Sequence, residues 1–313
     1  LKCKVCGGTA VISLKAYNNA LCANDFISFL ENRVLKTIQK YRLIDVDDRP
    51  LIAVSGGKDS LSLWHILDRL GYATDGIYID LSIKEYSQMS LEKVKSIADR
   101  LKRKIYIFHL EEVFGKDIES ISRIIRRPPC SACGMLKRYV MNKVSLDMGY
   151  NMIITGHNLD DEASALLGNL LYWKDEYLWK KGLELKETEG HLSKKIKPLF
   201  LCSEREMAAY AILNNIDYIH EECPFSLDAK SLVYKDILNR LEESSPGTKL
   251  QFLKGYLKVS RIMNIQRKQA MSYCKICGYL SSGDICSFCR LMERLGVKND
   301  IKFHEYKPKK ISS

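Results

Sequence analysis

The sequence predicts an α/β chain, a doubly wound and mostly parallel sheet with a small cysteine module at each end. Three observations carry this. Strand-like and helix-like apolar patterns alternate from residue 51 to about 220, which builds a parallel sheet with crossover helices. The run Leu51-Ile52-Ala53-Val54, too short for a helix, leads into Ser55-Gly56-Gly57-Lys58-Asp59-Ser60, a glycine turn opening on a helix. Eight of the eleven cysteines fall in C-x-x-C pairs, which read as metal sites in a chain expected to be cytosolic.

Composition narrows the function classes. The 49 Lys and Arg exceed the 38 Asp and Glu by 11, which suits a polyanionic partner such as nucleic acid without requiring one. No apolar run approaches the ~20 residues of a membrane span. The opening Leu1-Lys2-Cys3-Lys4-Val5-Cys6 lacks the apolar core of a secretory signal, and Leu1 is an odd start that suggests a missing initiator or tag. The expected location is cytoplasmic.

Residues 1–25 hold Cys3-x2-Cys6, a fifteen-residue gap, then Cys22 and Asp25. The first three have zinc-ribbon spacing. Asp25 stands where a Cys or His is expected, but carboxylate oxygen also ligates zinc, so the four form a candidate site; the alternative is a degenerate knuckle without tight metal. Phe26, Phe29, Leu30, Val34, Leu35 and Ile38 predict a helix over 26–43, and 45–50 is a polar connector.

The loop after Val54 is an anion cradle. Its glycines expose backbone amides, and the N-terminus of the following helix, with Leu61, Leu63, Trp64, Ile66 and Leu67 as its apolar face, points positive charge at a ligand. The spacing is not G-x-x-x-x-G-K-[ST], which disfavours a P-loop kinase or GTPase. Ser-Gly-Gly-Lys-Asp-Ser instead resembles the pyrophosphate loop of the ATP pyrophosphatases, which adenylate a substrate and release pyrophosphate. The resemblance makes Val54, Ser55, Gly56, Gly57, Lys58, Asp59 and Ser60 candidate ATP-binding residues.

Further strands are predicted at 76–80, 105–108 and 151–155, with a helix at 90–102 between the first two. Ligands of such sheets collect at the carboxyl ends of the strands, which adds Asp80, Gly156 and His157 to the candidates. Asp80 would contact adenosine hydroxyls or amine, or serve as an ordinary turn residue. Pro129 and Cys130-Ser131-Ala132-Cys133 begin a helix carrying Lys137 and Arg138, an electropositive setting that favours thiolate. That pair needs a partner from elsewhere or acts as thiols. Cys223, after a predicted strand at 216–219 and before Pro224, is the candidate third ligand.

Residues 159–172 read as a helix and 173–197 as a charged, irregular insertion, with Lys194, Lys195 and Lys197 as solvated surface. A helix is predicted at 203–214, and Cys202 is expected to be a buried structural thiol. Residues 228–265 look helical with a break near 244–247. Cys274-x2-Cys277-x8-Cys286-x2-Cys289 is a strong zinc-ribbon signal, followed by a basic end with Lys307, Lys309 and Lys310. The expected divisions are a zinc knuckle at 1–25, a linker helix at 26–50, a catalytic domain at 51–225, a helical extension at 226–270, and a zinc ribbon with basic tail at 271–313.

Taken together, the chain resembles the tRNA 2-thiouridine synthetases of the archaeal, thermophile and eukaryotic-cytosolic type. The match rests on Ser55 to Ser60, on Pro129-Cys130-Ser131-Ala132-Cys133-Gly134 with Lys137 and Arg138, and on Gly156-His157-Asn158-Leu159-Asp160-Asp161-Glu162. Cys223-Pro224 and the terminal ribbons complete it; Asp25, where the family usually has His, departs from it. The resemblance implies a cytoplasmic homodimer that binds ATP with Mg2+, tRNA, two zinc ions and a [4Fe–4S] cluster on Cys130, Cys133 and Cys223. Three cysteines on four irons would leave one iron open to sulfide. Sulfur would come from a ubiquitin-like thiocarboxylate carrier or inorganic sulfide. Lys137 would stabilise charge near the reacting base or phosphate, and Asp161 would serve proton transfer or metal positioning. The alternatives are a tRNA 2-thiocytidine synthetase, a non-catalytic RNA-binding metalloprotein that leaves the nucleotide loop idle, and an amide-forming ligase, which would not need three cysteines at the crevice.

Overall fold

The computed structural model describes residues 1–174, 178, 184–185, 191–226, 230–262, 272–281, 283–297 and 301–309. Much of the predicted insertion at 173–197, the end of the helical extension and Lys310 lie outside these residues.

The chain begins with a hairpin of β1 (Ile12–Leu14) and β2 (Asn19–Leu21), after which Cys22 caps α1 (Ala23–Tyr41). Phe26, Leu30, Val34 and Ile38 form the buried face of α1, at the three-to-four-residue spacing that predicted it. The strand β3 (Pro50–Val54) then runs into α2 (Lys58–Arg69), whose Leu61, Leu63, Trp64, Ile66 and Leu67 are fully buried. The chain moves outward through β4 (Asp75–Asp80), α3 (Lys84–Leu101) and β5 (Ile105–His109). Two short helices, α4 (Leu110–Phe114) and α5 (Ile118–Ile125), lead to α6 (Pro129–Asp147). Then β6 (Met152–Thr155) pairs on the other side of β3 and runs into α7 (Leu159–Leu171).

With β7 (Glu184–Leu185), β8 (Lys194–Ile196) and β11 (His304–Tyr306), the sheet reads β11-β5-β4-β3-β6-β8-β7. The inner five strands are parallel and both edge strands are antiparallel. Strand order reverses at β3, so β3 and β6 border the crevice where such sheets bind ligands. Beyond β8 come α8 (Glu204–Leu213), α9 (Lys230–Ser244), α10 (Thr248–Ile262), a hairpin of β9 (Ser272–Tyr273) and β10 (Leu280–Ser281), and α11 (Ser287–Leu295). Pro246 and Gly247 separate α9 from α10 at the expected break. No helix among the described residues is long and apolar enough to cross a membrane.

Two expectations are corrected. Residues 216–219 form no strand: the segment runs beside the Ser55–Ser60 loop, where the Ile219 N–H donates to the Gly56 carbonyl at 2.9 Å. The fifth parallel strand is β8, in the stretch expected to be irregular and solvated. Its Lys194 is only 7% exposed and reaches Asp48 at 3.3 Å and Asp45 at 3.4 Å, which supply the pairing a buried ammonium needs. Lys195 is pushed down to about 8 by burial and by the charge of Arg138, and Lys197 pairs with Glu162 at 2.8 Å. Near the basic end, β11 closes the sheet edge against β5, and Tyr306 donates to Asp99 at 3.0 Å.

Candidate functional site

A cavity of about 370 Å³ opens at the crevice between β3 and β6. Val54, Ser55, Gly57, Asp59 and Ser60 line it from the phosphate loop, and Gly156, His157 and Asp161 line it from the end of β6 and the start of α7. Cys133, Lys137 and Met141 line it from one face of α6, where a spacing of four residues stacks side chains. Cys223 completes the lining from the loop hydrogen-bonded to Gly56. Residues from four separate motifs therefore meet in one cavity. Gly56 and Lys58 belong to the same loop without lining the cavity, and Cys130 and Asp80 lie outside the lining. The Asp80 carboxylate is instead closed on its own turn: it accepts from Ser82 N–H at 2.7 Å and meets His109 Nδ1 at 3.0 Å. A second cavity of about 380 Å³, between the N-terminal module and α10, contains none of the predicted site residues.

The loop is shaped by its glycine and its serines. Gly56 has φ +80, and a side chain there would drive into the backbone of Ser90 at 2.7 Å. Ser60 Oγ accepts from Ser55 N–H at 3.1 Å and donates to the Gly57 carbonyl at 3.1 Å, tying the loop to the first turn of α2. At Gly156 a Cβ would meet Ser60 backbone atoms at 2.9 Å, so only glycine lets β6 pass so close. The first N–H groups of a helix have no intrahelical acceptor, and those of α2 start at this cavity.

Charge alternates along a row of side chains whose two ends, Asp59 and Asp161, line the cavity. Lys58 lies 3.4 Å from Asp59 and 2.7 Å from Glu204; Lys235, on α9, lies 3.1 Å from Glu204 and 2.7 Å from Asp161. Burial pushes the Asp59 carboxyl up to about 6, with Lys58 opposing and the charge of Asp161 adding to the rise. Burial works against the charges of Lys58 and Lys235, but their carboxylate partners outweigh it and hold both ammoniums above their ordinary range. Asn158, fully buried, caps α7 by accepting from Asp161 N–H at 3.0 Å and donates to Asp59 at 3.2 Å. That single amide sets the two aspartates in relation to each other.

The thiols in and beside the cavity depart from expectation in one respect. The helix N-terminus and its basic residues predict a favoured thiolate at Cys130. Burial instead pushes this thiol up, with the charges of Cys133 and Cys223 adding to the rise and Lys137 opposing. Its Sγ donates to the Phe225 carbonyl at 2.9 Å. The three sulfurs thus act on one another, but they do not close into a group within 4.8 Å as the other cysteine sets do. Soft thiols that repel one another as anions, spaced more widely than zinc ligands, fit a multi-iron cluster better than a single ion.

The two terminal sets are tighter. Cys274, Cys277, Cys286 and Cys289 lie within 4.8 Å of one another, as do Cys3, Cys6, Cys22 and Asp25. Sulfurs at about 2.3 Å from zinc stand about 3.8 Å apart on a tetrahedron. The Cys277–Cys286 and Cys6–Cys22 separations are 3.8 Å and 3.7 Å. Burial raises Cys274, but backbone N–H donors from Cys277, Cys286 and Ile276 outweigh it and bring the thiol down to about 6, the form that ligates metal. Asp25 accepts from Cys3 at 3.0 Å and Cys22 at 3.1 Å, bonds that hold its carboxyl below the usual range.

Sequence reasoning did not single out Glu204 or Lys235, and it named Asn158 only within a motif, without a role. Asn158-x-x-Asp161 does carry a capping signal, which could have found the amide. Glu204 and Lys235 lie in ordinary helical patterns, and no spacing rule connects them to the loop.

Comparison with known proteins extends the picture. Residues 28–226 match the family model of the PP-loop domain, residues 2–27 that of the N-terminal LIM domain of 2-thiouridine synthetase TtuA, and residues 271–290 the four-cysteine zinc-finger domain of RecR. The chain is 43% identical to a tRNA-5-methyluridine(54) 2-sulfurtransferase of Pyrococcus horikoshii, over 97% of this chain and 96% of that protein. It is also 43% identical to the protein of that name from Thermotoga maritima, over 94% and 97%. The solved U34-tRNA thiolase NcsA of Methanococcus maripaludis, described with its [4Fe–4S] cluster, superposes with a TM-score of 0.82 at 27% identity, covering 96% of this chain and 99% of that one.

Proposed function

Because the chain belongs to the PP-loop family of tRNA 2-thiolation enzymes, we propose that it is a tRNA 2-thiouridine synthetase, an ATP-dependent sulfurtransferase that releases AMP and pyrophosphate. The observation that carries the reading is the single cavity shared by the Ser55–Ser60 loop, Lys137, Asp161, Cys133 and Cys223. An idle nucleotide loop on an RNA-binding metalloprotein gives no reason for that convergence. The favoured substrate is the base at position 54, since the relatives named for it are 41–43% identical to this chain. The wobble uridine is the second reading, supported by the fold shared with NcsA.

The uracil C2 oxygen is a poor leaving group. Its attack on the ATP α-phosphate breaks the α–β bridging bond, releases pyrophosphate and leaves an AMP ester at C2. Sulfide then adds at C2, and the C–O bond to AMP breaks. In this scheme the amides at the start of α2, with Ser55 and Ser60, hold the departing pyrophosphate. Lys137 neutralises charge on the phosphate or the reacting base, and Asp161 moves a proton or positions Mg2+ together with Asp59. Cys130, Cys133 and Cys223 would hold a [4Fe–4S] cluster, which when bound supplies an iron coordination position for sulfide beside the base.

The reading includes zinc at each terminal set, a division into the five segments expected from the sequence, and a cytoplasmic enzyme. It also includes a sulfur carrier or free sulfide as donor, and a homodimer. Val233, Ile237 and Leu241, exposed along one face of α9, support a further protein contact. The test is anaerobic reconstitution with ATP, Mg2+, sulfide and unmodified tRNA, followed by mass analysis of the nucleosides. The reading requires ATP-dependent 2-thiolation of a uridine; thiolated cytidine, or no thiolation by iron-loaded protein, overturns it.

A further inference from the structure

We propose that Lys235 is a positioning residue for the nucleotide pocket. From α9 its ammonium fixes the Asp161 carboxylate and, through Glu204 and Lys58, the Asp59 carboxylate of the phosphate loop. The inference rests on the reading of the cavity as an ATP site. Five groups from four helices form an unbroken alternation, Asp59–Lys58–Glu204–Lys235–Asp161, with contacts of 3.4, 2.7, 3.1 and 2.7 Å. Its two ends, Asp59 and Asp161, line the cavity. Lys235 sits where removal matters most: without it, three carboxylates share one ammonium at a site meant for a polyanionic triphosphate. The charges of Asp161 and Glu204 already raise Asp59, and Lys235 is the group that offsets both.

A purely anchoring role for Lys235 is redundant. Helix α9 is already held to α7 by Tyr234, whose ring packs so closely on Gly168 that a Cβ there would approach it to 2.7 Å. The next helix is fastened by a buried ion pair between Lys249 and Asp160. The consecutive aspartates of the Gly156–Glu162 motif therefore receive one lysine each, Asp160 within the packing and Asp161 at the cavity. Asp160 and Lys249 hold the extension in place; Asp161 and Lys235 join it to the pocket.

The experiment is a titration of the full chain with Mg–ATP, in a binding assay that needs neither tRNA nor sulfur. Lys235→Met should weaken Mg–ATP binding by about tenfold, the scale of one lost hydrogen bond to a charged group. Lys235→Arg should restore most of the loss. Tyr234→Ala, which loosens the same helix, should lower the melting temperature without changing the affinity. Wild-type affinity in the Met variant overturns the inference alone, as does equal weakening in the Met, Arg and Tyr234→Ala variants. If the wild-type chain binds no Mg–ATP, the nucleotide reading falls together with it. Should the Met variant not fold, Lys235→Gln is read in the same titration against the same limits.

Discussion

The ring of Phe288 lies flat on that of Tyr139, with centroids 3.6 Å apart and planes 6° from parallel. Phe288 belongs to α11 in the four-cysteine ribbon, and Tyr139 to α6, two residues beyond Lys137. The ribbon thus rests on the helix that carries Cys130, Cys133 and Lys137. Phe288 is 2% exposed, and truncating such a ring costs about 3–5 kcal/mol. Phe288→Ala should lower the melting temperature and also reduce iron uptake on anaerobic reconstitution, although no iron ligand is changed. Unaltered iron content in a destabilised variant would separate the ribbon from the thiol site.

Asp59 makes a second prediction through its pH dependence. The folded carboxyl keeps its proton to about pH 6, whereas an unfolded Asp gives it up near pH 4. Ionised Asp59 therefore opposes folding. The penalty is absent below about pH 4, grows between the two values and is complete above about pH 6. In the nucleotide-free protein, Asp59→Asn should raise stability by about 1–3 kcal/mol at pH 7.5, with no gain near pH 4. It should also abolish adenylation while leaving the iron–sulfur spectrum unchanged. Denaturant midpoints at the two pH values and a pyrophosphate-release assay check this. Adenylation at the wild-type rate would remove Asp59 from the phosphate site.

What is legible in the sequence follows the strength of its local signals. Val54 to Ser60, and the strands through Ile77, Ile107 and Ile153, can be read because apolar runs end in glycine or polar turns. The strand at Lys194–Ile196 escapes such a reading because its Lys194 is buried through partners far away in sequence, Asp45 and Asp48. Ile216 to Ile219 has strand-like composition, but the loop carrying Cys223 takes it past Gly56, outside the sheet. The cavity lining is legible wherever residues belong to a motif. The ion pair of Glu204 and Lys235 behind that lining is not, because an ion pair between separate helices leaves no periodic mark.

The division of cysteines gives the third prediction. Closed sites with four ligands leave no position for substrate and contribute folding energy, so the terminal sets should be structural. Zinc should persist in a Cys130/Cys133/Cys223 triple serine variant, measured by metal analysis of the purified protein. Cys274→Ser should lose stability and zinc together. Loss of all zinc from the triple variant would show that the cavity thiols, and not the terminal sets, bind it.

Cys223 lies some ninety residues beyond Cys130 and Cys133 in sequence, yet its loop is fixed to the phosphate loop by the hydrogen bond from Ile219 to Gly56. Ser226 N–H also donates to the Cys223 carbonyl at 2.8 Å, and Cys130 reaches the neighbouring Phe225 carbonyl at 2.9 Å. The backbone around Cys223 is therefore held from both sides without the sulfur itself. Cys223→Ser should leave that loop and the ATP site in place while removing one of three soft ligands. The expected result is loss of the cluster absorbance and of tRNA thiolation, with Mg–ATP affinity within about twofold of wild type, a change below RT in free energy. The competing mechanism makes Cys130 and Cys133 a dithiol pair carrying persulfide, with Cys223 a bystander. Under that mechanism the Ser variant, prepared without oxygen, thiolates tRNA normally in the absence of iron, and the three-cysteine assignment fails.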